Sequence, residues 1–216
     1  MNQLTPRERS LLAKLNSPQK IQDYISSLKP NFEPHGDECR SPREVMKTGT
    51  AHCVEAALVA SWALMYHGHK PLLLDLTAAR HDFDHVVALF KVNNHWGAIS
   101  KSNHAVLRYR DPIYRTLREL ALSYFHEYFD AKGKKTLISY SRPLDLRQFN
   151  KKNWQTDSAD VWYIPIRLTE IPHFPLVPKS TQKKLRRADP IEIKAGTLIE
   201  VRPPRNYARR AKEWFL

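Results

Sequence analysis

The sequence predicts an α+β fold, helices first and a hairpin-built antiparallel sheet after, and three observations carry that expectation. Helix-period apolar stripes with capping residues fill the first third of the chain. Short strand-like runs joined by a tight turn dominate the middle, and strands and helices nowhere alternate as a parallel sheet requires. The 216 residues suffice for one domain with a full core, and 42% hydrophobic content with 10% aromatics fits a packed interior.

Along the chain, Ser17-Pro18 reads as an N-cap followed by Pro at the first helical position, with Ile21, Tyr24, Ile25 and Leu28 at helical spacing, so a helix is expected to stop before Pro30. Residues 30–40 read as a polar loop, and Ser41-Pro42-Arg43-Glu44 as a capping box opening a short helix that ends near Gly49. A longer helix is expected from about His52 to Tyr66 or His67, with Val54, Ala57, Leu58, Ser61, Leu64 and Met65 on one stripe and Gly68 as its stop. Strands follow at 72–76, 85–92 and 95–100, the last two joined through Asn93-Asn94, a pair that tolerates the positive φ of a tight turn. Asp111-Pro112 reads as the start of a helix running to Gly133, and 136–141 and 161–168 as further strands. Beyond Glu170, repeated prolines break up the pattern into an extended wrap.

The charge is uneven. Thirty-five Lys and Arg against 22 Asp and Glu give a net +13, and the stretch from Lys179 to the C-terminus alone holds eleven basic and four acidic residues. Such a tail suits a polyanion, nucleic acid included, or simply a solvated face. The N-terminus has no apolar stretch or small-residue cleavage site, and the longest apolar run, residues 56–66, is too short to span a bilayer. A cytoplasmic protein without membrane contact is therefore expected, with its two cysteines, Cys39 and Cys53, reduced.

Cys53 stands in the first turn of the long helix, where orphan N–H groups and the helix dipole stabilise a thiolate and where its own N–H can serve a developing oxyanion. A nucleophilic cysteine needs a base. Of ten histidines, His85 is best placed, at the start of a strand facing that helix end; His52, adjacent in a helical turn, is expected to point elsewhere and to be the poorer partner.

The strings GTAHCVEAALVASWALMYHGHKPLLLDL, DHVVALF and HWGAIS, within about residues 40–110, resemble in order and spacing the transglutaminase-like core of the papain-like cysteine enzymes, in a bacterial-type branch. The resemblance implies a papain-like fold over residues 1–170, with 171–216 a Pro-rich basic extension packing on or trailing from it. It also implies amide hydrolysis or acyl transfer on a peptide or small amide through a Cys53 acyl-enzyme, with His85 as general base and acid and no cofactor or metal. The family's third residue, an acid four positions after a Trp, corresponds here to Ser100 after Trp96. Hairpin register independently puts Ser100 on the face of His85. Asn103, given a bulge, or Asp111 are the other residues considered for orienting the imidazole.

Three other readings stand beside this one. A non-catalytic module of the same fold could engage a polyanion through its tail. His81-Asp82-Phe83-Asp84-His85 contains ligand types for zinc or iron, without a supporting H-E-x-x-H or paired C-x-x-C. Arg108, Tyr109 and Arg110 could meet an anionic substrate group or pair with Glu119 and Glu127. Cys39 reads as a loop thiol, with a regulatory bridge to Cys53 left open.

Overall fold

A computed structural model describes residues 4–34 and 36–204. It is α+β, with an antiparallel sheet between two layers of helices. The chain opens with α1 (Pro6–Lys14), started by a capping box in which Glu8 N donates to Thr5 Oγ1 and Thr5 N to Glu8 Oε2. Next come α2 (Pro18–Ser27), capped by Ser17, then β1 (Lys29–Pro30), α3 (Pro42–Thr48) and β2 (Thr50–Ala51). Helix α4 (Cys53–Tyr66) is buried from Glu55 to Leu64 and packs against α1, α2, α3 and the sheet. A helix apolar nearly all round can be stable only when enclosed on nearly every side.

The sheet is built from β3 (Leu72–Ala78), β4 (His85–Val92), β5 (His95–Ile99), β6 (Arg110–Tyr114), β7 (Leu137–Ser141), β8 (Leu144–Asp145) and β9 (His173–Pro175). Its order is β6-β5-β4-β3-β7-β9, with β8 also on β3. Asn93 and Asn94 take φ of 48° and 62°, and the hairpin they close pairs Val92 with His95 and Ala88 with Ile99, the expected register. Helix α5 (Leu117–Phe125) covers the opposite face from α4, over Leu74, Leu76, Val87 and Leu89. A 3-10 helix (Leu146–Lys152) and α6 (Tyr163–Glu170) return to the α4 side.

Among the stretches that differ from the sequence expectation, two take the opposite type of secondary structure. Asp111-Pro112 lies in β6, an edge strand, where a residue without an N–H costs no ladder bond; the following helix begins only at Thr116, whose side chain caps it. Residues 161–168 are mostly helical: Pro165 falls in the first turn of α6, where proline is tolerated, and Ile164 and Leu168 bury one helical face.

After Glu170 the chain adds β9 to the sheet edge, then two short helices, α7 (Lys179–Gln182) and α8 (Pro190–Gly196). Beyond α8, the chain runs beside residues 103–105: Ala105 N donates to Leu198 O and Glu200 N to Asn103 O. Arg205, Arg209, Arg210 and Lys212 of the basic tail lie outside the described residues. Among the described residues, no helix is long and apolar enough to cross a membrane.

Candidate active site

Cys53 is the first residue of α4, and its position is set from outside the helix. β1 and β2 pair in parallel, Asn31 N donates to Ala51 O at 3.1 Å, and His52, with φ −91° and ψ −176°, turns the chain from extended to helical. Cys53 is half-buried and lines a cleft of about 700 Å³, whose walls include His52, Phe83, His85, Lys101, His104, Tyr128 and Phe129. Burial alone would raise the thiol pKa. Hydrogen bonds to His52 and His85, and the charge on those rings, outweigh it and bring the thiol well below its ordinary value.

The bond to His85 has a defined polarity. His85 Nε2 lies 2.7 Å from Ser100 Oγ, and Ser100 Oγ donates its only proton to Leu107 O at 2.5 Å. The serine can then only accept from the ring, so Nε2 carries the hydrogen and Nδ1 is the nitrogen left for the Cys53 thiol.

Both ends of this relay are held. Gln22 of α2 clamps the Ser100 backbone, its Nε2 donating to Ser100 O at 2.9 Å and its Oε1 accepting from Ser100 N at 3.0 Å. Leu107 sits at φ 60°, a left-handed conformation costing a non-glycine residue about 1–2 kcal/mol, and Glu127 accepts its N–H at 3.0 Å. Arg110 fixes Glu127 at 2.6 Å and lies over the Tyr124 ring. Lys101, buried beside Ser100, donates to Leu28 O, and burial lowers its pKa.

His52 has a shell of its own. Its Nε2 lies 2.9 Å from Glu38 O and 3.7 Å from Glu55 Oε2. Glu55, fully buried, accepts from Arg40 Nε at 2.7 Å, Arg40 N at 3.0 Å, Asn31 Nδ2 at 3.2 Å and His52 N at 3.1 Å. Burial raises this carboxyl, and the Arg40 bonds and nearby His52 more than reverse that, holding it below the ordinary range. The expectation that His52 points away is therefore corrected: as N-cap it is not a helical neighbour of Cys53, and its extended backbone lets the ring meet the sulfur.

The other residues singled out from the sequence go elsewhere. Asn103 lines the cleft but does not orient His85, because its amide is engaged by Val201, donating to Val201 O at 2.9 Å and accepting from Val201 N at 3.1 Å. Asp111 is exposed on β6. The acidic-histidine string disperses: His81 pairs with Asp130 at 3.3 Å, Asp82 takes the Thr136 hydroxyl, and Asp84 accepts Ala78 N at 2.7 Å. Among the described residues no three His, Cys, Asp or Glu side chains converge as a metal site. Asp84 is pushed up to about 6 by burial and the Asp75 charge, against the pull of the Ala78 N–H.

Arg108 pairs with Glu200 at 2.7 Å, Tyr109 stacks on Phe90, and Arg110 takes Glu127. Cys39 is a free loop thiol, as expected, but it is fully buried in the core, and Cys53 is free as well. His35 lies outside the described residues. The roles of His52, Gln22 and Glu55 had no motif to announce them, although Glu55, three residues after the N-cap, occupies the acidic position of a capping box. No protein-family model matches the chain and no curated protein is significantly similar to it.

Proposed function

We propose that this chain is a transglutaminase-like cysteine enzyme of the papain-like type, acting on a peptide or small amide by hydrolysis or acyl transfer. The observation that carries the reading is that Cys53, first residue of α4, shares a cleft with His85, whose Nε2 is fixed by Ser100 Oγ at 2.7 Å. A helix N-terminus, a lowered thiol pKa, an oriented base and an adjoining cleft are the parts that nucleophilic acyl chemistry needs.

In the proposed cycle the Cys53 proton passes to His85 Nδ1 and the sulfur adds to the substrate carbonyl. The oxygen becomes an oxyanion beside the Cys53 N–H, a first-turn donor with no acceptor in its own helix. Collapse breaks the C–N bond, His85 hands its proton to the departing amine, and a thioester remains on Cys53. Water or a second amine then gives a proton to His85 and attacks the thioester carbon. The C–S bond breaks, releasing acid or new amide and restoring the cysteine. Ser100 holds the ring without a charge, and a neutral hydroxyl supports the imidazolium less than a carboxylate does.

The test is intact-mass detection of a thiol-directed acylating probe on wild type and Cys53→Ala. Stoichiometric labelling of wild type and none of the variant is expected; equal labelling of both would remove Cys53 from the role.

A further inference from the structure

The site holds two imidazoles on one sulfur, and their far sides differ in kind. Behind His85 stands a hydroxyl whose proton is already committed to Leu107 O. Behind His52 stand a backbone carbonyl at 2.9 Å and a buried carboxylate at 3.7 Å. A carbonyl can only accept, so His52 Nε2 carries a hydrogen, which leaves Nδ1 for the first turn of α4, where Cys53 stands. The pair is then either a thiol donating to a neutral ring or a thiolate accepting from a charged one. The Glu55 carboxylate favours the second.

We propose that His52 is a second catalytic residue of this site: its imidazolium, fixed by Glu55 and the Glu38 carbonyl, is the standing counter-ion of the Cys53 thiolate. The charges alternate along the chain Arg40, Glu55, His52, Cys53, each paired with the next. The carboxylate missing behind the base is thereby supplied behind the nucleophile. His85 holds the proton that Cys53 has given up and hands it to the departing amine, while His52 keeps its own through the cycle.

The titratable and charged groups facing His52 are Glu33, Glu38 and Arg40 from the loop after β1, Cys53 and Glu55 from α4, and His85 beyond the sulfur. Burial lowers the His52 pKa, but the bond to Cys53, the Glu55 charge and the Glu38 carbonyl reverse this and raise it to about 9, so the ring is charged at neutral pH. This assignment rests on Cys53 being the nucleophile proposed above.

The experiment is the pH profile of iodoacetamide alkylation at Cys53, read on the Cys53 peptide by mass spectrometry so that Cys39 does not contribute. Wild type is expected to react with a midpoint well below the ordinary thiol value of about 8.5. His52→Asn keeps a good N-cap and should move the midpoint up by at least about one unit, cutting the rate about tenfold at pH values below the wild-type midpoint. His52→Ser, also a good cap, should do the same, so that a folding defect peculiar to one substitution does not decide the matter. His85→Gln should shift the midpoint less.

Profiles of His52→Asn and His52→Ser superimposed on wild type would overturn the role of His52 and leave the Cys53–His85 reading intact. An ordinary midpoint in wild type would overturn both.

Discussion

Cys39 and Cys53 carry the same thiol in the same half of the molecule, and both feel Glu55 or the residues paired with it. Burial is the largest influence on each and acts upward on each. Cys39 has only negative neighbours to add to it, Glu55 and Asp160 foremost, and its thiol is driven far above the ordinary range. Cys53 meets two imidazoles and goes the other way. Burial therefore does not separate a packing cysteine from a nucleophile here; the hydrogen-bond donors and positive charge within reach of the sulfur do.

The sharpest way to break this contrast is selective alkylation. At neutral pH, brief iodoacetamide treatment should modify Cys53 and spare Cys39 on peptide mapping. Cys53→Ala should abolish rapid modification and Cys39→Ala should leave it. A smaller but still large effect is expected at the base. After acetylation of Cys53 by an activated ester, His85→Gln should slow release of the acetyl group, followed by intact mass, by about 10²–10⁴-fold, the usual contribution of general-base catalysis.

Glu55 lies between the two cysteines, and its removal sharpens the comparison through stability. Glu55→Ala leaves Arg40 paired with Glu38 at 3.2 Å but takes the acceptor from the buried Arg40 and His52 N–H groups, and should cost roughly 1–3 kcal/mol in urea unfolding. Because the folded carboxyl is held below its unfolded value of about 4.3, its contribution is complete above that pH and is lost as the pH falls through the folded value. The wild type should accordingly lose stability on acidification more steeply than the variant. Ser100→Ala should have the smallest effect. It removes the hydroxyl's bonds to His85 and to Leu107 O and frees the ring to change tautomer, and the loss of the bond to the ring should slow deacylation about tenfold, the scale of 1–1.5 kcal/mol.

Much of the nucleophile's half of the site was legible because it depends on local rules. The 3.6-residue stripe and Gly68 delimit α4, the Asn93-Asn94 turn sets the β4–β5 register, and that register carries Ser100 to the face of His85. What was not legible depends on packing between distant segments. Gln22 reaches Ser100 across 78 positions, and the Arg40–Glu55 pair forms only once the loop folds over α4. His52 was misjudged because its direction turns on one non-helical residue.

Two missed boundaries had signals in plain view. Thr5-Pro6-Arg7-Glu8 and Thr116-Leu117-Arg118-Glu119 are both S/T-x-x-E capping boxes, and both start helices. The aromatic and β-branched residues of 161–168 favoured a strand, and burial of Ile164 and Leu168 on one helical face prevailed over that propensity.

The most direct measurement is the ultraviolet absorbance of thiolate, titrated from acid to alkaline pH in wild type and in Cys53→Ala and taken as a difference, so that Cys39 cancels. An activated Cys53 predicts a thiolate step complete by about pH 7. A step at about 8.5 or above, or no difference between the two proteins, would contradict it.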